Sequence, residues 1–165
     1  MIYTSNYNNC NTELMKTYSI SKDKGKDANY EGDFFFFLAP PEDLFRTWKN
    51  NIGKISEEEN NKYYIREYYQ RVLKQLEPEE VYKRLKDSIL LCYEDNDKFC
   101  HRHIVSAWLE YYLNIKSYEV RIKDEKIDVL PRPDYIKDIL YQIIDEDTKE
   151  EEESVLKRTK TPEND

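Results

Sequence analysis

The sequence predicts a single α/β domain in which a mainly parallel sheet is layered by helices, in a Rossmann-like, three-layer arrangement. Short apolar segments of strand length alternate along the chain with longer segments of helical periodicity. Several of the predicted strands are apolar throughout, which is typical of parallel strands covered on both faces. With 165 residues, the chain has room for one domain with one core.

In the first part of the chain, the sequence predicts strands separated by a polar loop. Residues 1–7 combine β-branched and aromatic side chains before a run of asparagines, which predicts a short strand leading into a loop. Residues 16–20 predict a second strand, and the polar stretch 21–33 predicts a mobile surface loop. The run Phe34–Leu38 is apolar throughout and ends before two prolines, so its length favours a strand covered on both faces.

Helices are predicted in the middle of the chain. Pro41 is followed by two acids, a combination that suits a first helical turn, and this helix is expected to end near Asn51. Ser56 and Glu59 can form a capping box, after which apolar residues recur at helical spacing as far as Leu76. A shorter helix, opened by Pro78, is expected before the next strand.

The second half repeats the alternation. Residues 89–93 predict a buried strand, and a helix that is apolar on nearly every side, hence central, follows from Phe99 or Cys100 to Leu113. Residues 118–122 alternate apolar and polar side chains, which predicts a last strand, at an edge or half exposed. A short amphipathic helix is predicted over residues 133–144.

Composition limits the classes of partner. The domain is expected to span residues 1–144, and residues 145–165 to form an acidic tail, either disordered or an extended frayed helix. The net charge is −8, and no dense basic patch is visible, so we expect no nucleic-acid partner. No apolar run approaches the ~20 residues that a membrane-spanning helix needs. Three cysteines without a secretory leader predict a cytoplasmic location.

Reactive side chains are concentrated in residues 88–109, SILLCYEDNDKFCHRHIVSAWL, where the buried strand is followed by the central helix. Side chains alternate along a strand, so Cys92 and Glu94 are expected to face one pocket. Cys100 begins the helix, where free N–H groups and the helix dipole favour an anion and lower the pKa of a thiol. Because ligands bind beyond the carboxyl ends of parallel strands, we predict a site there.

Neighbouring residues favour an anionic guest. His101 and Arg102 lie on the first helical turn, and Arg102 could donate two hydrogen bonds to a carboxylate or phosphate. Ser5 and Asn6 end the first predicted strand and are expected at the rim of the same site. The expected ligand is therefore an anionic small molecule or a nucleotide.

Two functional interpretations use this site directly. In the first, Cys92 or Cys100 is a nucleophile, His101 or Glu94 carries the proton, and Arg102 anchors the anion. In the second, the same helix N-terminus and Arg102 hold a phosphate or nucleotide without turnover.

Two further interpretations are structural. A zinc site would use four donors: Cys92, Cys100, His101 and His103. Their spacing matches no familiar zinc pattern, and adjacent helical residues diverge around the axis, so we expect neither a metal nor another cofactor. In the last interpretation, Cys92 fills the core, His103 is a buried histidine with its hydrogen bonds satisfied, and Glu94 forms an ordinary ion pair with Arg102.

The segment LLCYEDNDKFCHRHIVSAWL resembles the signature of the domain-of-unknown-function 488 (DUF488) family, in which a strand ends in Cys-x-Glu and a Cys-His-Arg opens a helix after a short loop. The resemblance maps the family's site onto five residues: Cys92, Glu94, Cys100, His101 and Arg102. The opening IYTSNY is similar to the family's first strand, and this similarity implies that Tyr3, Ser5 and Asn6 lie near the site.

The resemblance extends over residues 1–122, with the tail outside it. One departure concerns the second strand, which in the family often ends in an Asp-x-Arg-like motif, whereas this chain has Ser19-Ile20-Ser21. The resemblance implies an α/β fold and a shared polar site, and it names no substrate.

We therefore predict a small enzyme or ligand-processing protein that acts on an anionic, nucleotide-like compound. The alternative is a non-catalytic ligand-binding or regulatory module, and a structural zinc site is a further one. The catalytic candidates are Cys92, Glu94, Cys100 and His101, and the ligand-binding candidates are Arg102, Ser5, Asn6 and Tyr3.

Overall fold

The computed structural model describes residues 1–160 and confirms an α/β fold with a mostly parallel sheet. Its strands are β1 (Ile2–Asn6), β2 (Lys16–Ser19), β3 (Asp33–Phe34), β4 (Ser88–Cys92), β5 (Ser117–Lys123) and β6 (Lys126–Leu130). They are ordered β3-β2-β4-β1-β5-β6 across the sheet. Every neighbouring pair is parallel except β5 and β6, which are antiparallel.

The helices are α1 (Glu42–Asn51), α2 (Glu57–Arg71), α3 (Pro78–Leu85), α4 (His101–Leu113) and α5 (Asp134–Lys160). Of the helices in the described residues, α2 and α3 begin at start signals that the sequence supplies. The Ser56 hydroxyl accepts a hydrogen bond from the Glu59 backbone N–H at 3.1 Å, which confirms the predicted cap of α2. Pro78 is the first residue of α3, as predicted. Within residues 1–160 no helix combines the length and the apolar character needed to span a bilayer.

The two faces of the sheet are covered differently. Residues of all five helices pack with Ile2 and Leu90 in the larger core, and the first nine residues of α4 are buried, so α4 is central as predicted. On the opposite face Ile89 and Leu91 pack with side chains from strands and loops, among them Tyr30. The predicted three-layer arrangement is therefore not confirmed for the residues that the structure describes.

The phenylalanine run does not form the predicted buried strand. Only Asp33 and Phe34 pair with β2, at the edge of the sheet, and residues 36–38 form a 3-10 turn. The Phe36 side chain is 67% exposed. The turn buries Leu38, whose carbonyl accepts a hydrogen bond from the Tyr68 hydroxyl at 2.6 Å, and this directs the chain away from the sheet.

The strand predicted over residues 118–122 lies inside the sheet, because β6 continues the sheet beyond it. The hairpin between β5 and β6 turns at Asp124 and Glu125, both with positive φ. Such turns usually carry Asn-Gly or Asp-Gly, and that signal is absent here. For this reason β6 was not predicted from the sequence.

The predicted acidic tail begins as a continuation of α5. Asp147 forms a salt bridge with Lys74 at 2.9 Å and accepts a hydrogen bond from Gln70 at 3.0 Å. Asp145 accepts one from Tyr111 at 2.6 Å. Residues 145–160 are helical, as in the extended-helix alternative, and residues 161–165 lie outside the described part of the chain.

Candidate functional site

Three parallel strands end together at one edge of the sheet. Asn6 of β1 is in register with Cys92 of β4, and Ser19 of β2 with Leu91. Cys92 is the last residue of β4. A cavity of about 530 Å³ opens beside it, at the carboxyl edge where parallel sheets bind ligands.

The cavity has aromatic walls and a polar rim. The aromatic lining residues are Phe45, Trp48, Tyr64, Tyr93 and Phe99. The charged lining residues are Lys22, Asp23, Asp27, Lys49 and Glu94. Cys92, Cys100 and His101 line the same cavity and are buried, so they form its floor. The loop predicted to be mobile contributes to the rim through the hydrogen bond from the Tyr93 hydroxyl to Asp23.

Cys92 and His101 form a pair on this floor. The Cys92 Sγ lies 3.5 Å from Nδ1 of His101, and Nε2 of the same ring lies 2.8 Å from the Ile20 carbonyl oxygen. A carbonyl can only accept, so we assign the ring hydrogen to Nε2. The neutral imidazole then presents the lone pair of Nδ1 to the sulfur.

Cys100 joins this pair because it is not helical. It is the N-cap of α4 and has an extended backbone, with φ −155° and ψ 144°. The ligand atoms of Cys92, Cys100 and His101 lie within 4.8 Å of one another. Adjacent residues 100 and 101 therefore converge, contrary to the prediction that helical geometry would separate them.

The two thiols have opposite electrostatic environments. A hydrogen bond from the Cys100 thiol lowers the pKa of Cys92 against the opposing effect of burial, with help from the Arg102 charge and the Ser21 hydroxyl. Burial, together with the neighbouring Cys92, raises the pKa of Cys100. Of the two thiols, Cys92 is therefore the one that ionises more readily, and Cys100 is the one that keeps its proton.

Arg102 lies away from the cavity, in a buried ion pair. Its Nη2 is 2.7 Å from Glu119 Oε2, and the two residues are 0% and 2% exposed. Glu119 also accepts from the Thr4 hydroxyl at 2.9 Å. The predicted ion pair with Glu94 is wrong: Arg102 donates to the Glu94 backbone carbonyl at 2.8 Å, and the Glu94 side chain is exposed at the cavity.

The residues expected at the rim lie elsewhere. The Ser5 hydroxyl donates to the Val120 carbonyl at 2.6 Å, and the Asn6 amide donates to the Glu94 carbonyl at 3.2 Å. Tyr3 packs on the opposite face of the sheet. Together with Arg102, these residues support the strand ends without lining the cavity. The aromatic wall that α1 contributes to the cavity was not predicted from the sequence, because Phe45 and Trp48 have the spacing of ordinary core residues.

His103 lies outside the cluster, and its burial leads to a prediction about how the stability of the protein depends on pH. Burial lowers its pKa from 6.5 to about 2, with Arg102 and Arg132 adding to the effect. The folded protein thus keeps a neutral ring where the unfolded chain takes up a proton. We therefore expect stability to be complete above pH 6.5 and to fall as the pH decreases from 6.5 towards 2.

The loss should approach about 1.4 kcal/mol per pH unit in that window. Urea unfolding at about pH 7 and about pH 5 measures it. The variant His103→Gln removes the titrating group and should lose less stability between the two pH values. An equal loss in the variant would contradict a neutral buried ring.

Fold and site together define a class of protein: a small α/β domain with a cysteine–histidine pair at the carboxyl edge of a parallel sheet. Comparison with family models gives a match over residues 3–113 to DUF488-N3a, described as "Active DUF488-N3 subclade". The chain therefore belongs to the DUF488 family, as its signature predicted. The match runs from β1 to the end of α4 and so includes Cys92, Cys100 and His101. No curated protein and no solved structure matches the chain.

Proposed function

We propose that this DUF488 protein is a thiol-dependent enzyme that acts on an anionic, nucleotide-like small molecule. The observation that carries the proposal is the alignment of Cys92 Sγ, the His101 ring and the Ile20 carbonyl, joined by contacts of 3.5 Å and 2.8 Å. A nucleophile, an adjacent base and a group that orients the base are the parts that covalent catalysis by cysteine requires. The description of the matched subclade as active supports a catalytic role.

The residues on the cavity floor have distinct roles in this proposal. His101 accepts the proton of Cys92 through Nδ1 as the sulfur attacks an electrophilic centre of the ligand. The leaving group departs with the electron pair of its broken bond and takes this proton from His101. Water then releases the ligand from the sulfur, and its proton passes to His101. Cys100 stabilises the thiolate by its hydrogen bond, and Glu94 is a second proton carrier at the mouth.

The lining of the cavity supports the ligand class. Aromatic rings such as Trp48 and Tyr93 offer flat apolar surface to a planar ring. Lys22 and Lys49 offer positive charge to an anionic group. Lys22 is half exposed and pairs with Glu42 on the surface, so an anionic ligand can replace that weak partner. Free thiols suit a reducing compartment, and we place the protein in the cytoplasm.

Alkylation with iodoacetamide in the presence of a chelator tests the proposal. We expect Cys92 to react faster than Cys10, because burial raises the pKa of Cys10 to about 11. Adenosine monophosphate should protect Cys92 better than adenosine or inorganic phosphate does, since only the monophosphate supplies both a ring and an anion. Peptide mass spectrometry measures each site separately, and the variant Cys92→Ser should lose the fast reaction.

The same experiment separates catalysis from simple binding. A slow Cys92 in a protein that still binds adenosine monophosphate in equilibrium dialysis would overturn the thiol mechanism and leave a non-catalytic binding module. A fast Cys92 that no nucleotide protects would overturn the ligand class.

A further inference from the structure

We propose that Cys92, Cys100 and His101 bind a zinc ion with a fourth coordination position open to the cavity. This site goes beyond the proposed function. Its regulatory consequence, that the ion blocks the attacking sulfur, rests on that function. The cluster differs from the four-donor structural site considered from the sequence, because His103 does not contribute to it.

Donor type and spacing suit zinc. Thiolate sulfur and neutral imidazole nitrogen are its usual protein ligands. In a tetrahedral site with Zn–S near 2.3 Å and Zn–N near 2.05 Å, the sulfur and nitrogen are about 3.5 Å apart. The Cys92 Sγ and His101 Nδ1 are already 3.5 Å apart. The two sulfurs need a separation of about 3.8 Å in that geometry. All three donor atoms lie within 4.8 Å of one another, so at most about 1.3 Å remains to be closed by side-chain rotation.

The second nitrogen of the ring provides independent support. Histidines that bind metal usually donate the other ring N–H to a carboxylate, a carbonyl or water, which fixes the tautomer. Nε2 of His101 is 2.8 Å from the buried Ile20 carbonyl. The nitrogen that faces the Cys92 sulfur is therefore the one with a free lone pair.

Charge balance also favours the ion. Two thiolates and one Zn²⁺ sum to zero, so the buried floor gains no net charge. The nearby Arg102 is already neutralised by Glu119 at 2.7 Å. Each thiol that enters the coordination sphere loses its proton to solvent, and no electrons are transferred. Up to two protons are released per ion bound, fewer if Cys92 is already a thiolate.

The open position decides what kind of site this is. Structural zinc sites are closed by four protein ligands, whereas sites that exchange or react keep a position for water or substrate. All three donors line the cavity, so that position faces the ligand space. A bound ion engages the Cys92 sulfur and withdraws it from attack. Zinc binding and thiol chemistry at Cys92 are thus mutually exclusive.

The test uses the whole 165-residue chain, stripped with chelator and then dialysed. Titration with Zn²⁺ against a chromophoric chelator should give one equivalent, and Co²⁺ should give a thiolate-to-cobalt charge-transfer band. Cys100→Ser and His101→Ala should each weaken zinc binding by about 10²-fold or more. The control variant Cys10→Ser should keep full binding, since Cys10 lies outside the cluster.

Protection from alkylation links the ion to the thiol. One equivalent of Zn²⁺ should slow iodoacetamide labelling of Cys92 at least about tenfold and leave the rate at Cys10 unchanged. Absence of both the cobalt band and zinc binding in the wild-type protein, or full binding in folded Cys100→Ser, would overturn the site. Because the first of these results needs no variant, misfolding of a variant cannot obscure it.

Failure of this site and failure of the proposed function give different results. Fast Cys92 labelling without zinc binding would overturn the metal site and leave the thiol enzyme intact. Slow labelling in the stripped protein together with one tightly bound equivalent of zinc would overturn the thiol mechanism and leave the metal site standing.

Discussion

Replacing Glu119 with leucine is expected to lower the free energy of unfolding by about 3–5 kcal/mol. The carboxylate is the counter-charge of Arg102, which is 0% exposed and binds it through Nε at 3.0 Å and Nη2 at 2.7 Å. Without it a guanidinium stays in the interior with no opposite charge, and the Thr4 hydroxyl loses its acceptor. Urea unfolding followed by circular dichroism measures the change.

The double variant Arg102→Leu with Glu119→Leu is the matched control. Removing both charges eliminates the unpaired ion, so the double variant should be more stable than Glu119→Leu alone. If the two single effects simply add, the two charges are not coupled and the explanation fails. The ion pair is thus expected to stabilise the strand ends next to the site. There Arg102 also donates a hydrogen bond to the Glu94 backbone carbonyl.

Replacing His101 with alanine is expected to slow alkylation of Cys92 by about 10²-fold in the stripped protein. In the proposed mechanism the ring nitrogen 3.5 Å from the sulfur is the base that takes its proton, and alanine would leave that proton without an acceptor. Second-order rates with iodoacetamide, measured site by site, test this expectation.

Cys10 is the internal control for that measurement, because it is a free cysteine outside the cluster. Its rate should be the same in His101→Ala and in the wild-type protein. An unchanged rate at Cys92 would show that Cys100 and Arg102 alone maintain its reactivity, and His101 would lose the role of base.

Local sequence patterns predicted much of the fold. The capping residues Ser56 and Pro78 mark helix starts that the structure confirms. Helix starts depend on residues that are close together in the chain, so the sequence indicates them directly. Cys92, Cys100 and His101 lie within ten residues of one another in the chain, yet their convergence was not predicted, because it depends on the extended backbone of Cys100.

Features that depend on distant contacts could not be predicted in the same way. The partner of Arg102 is on β5, and no sequence signal distinguishes Glu119 from the acids closer to the site. Trp48 has the spacing of a core residue on α1, and only the packing of α1 against α2 places it in the wall of a cavity. The exposed Phe36 shows the same limit, because hydrophobicity alone does not reveal where the chain turns.

The residues that match the DUF488 family model are not expected to form a stable domain by themselves. The family match ends at residue 113, and Glu119 follows it on β5. A fragment cut after α4 would contain the whole signature, yet it would leave the signature arginine charged in an apolar interior. We therefore expect the smallest unit of this protein that folds by itself to extend past the signature motif and to include β5.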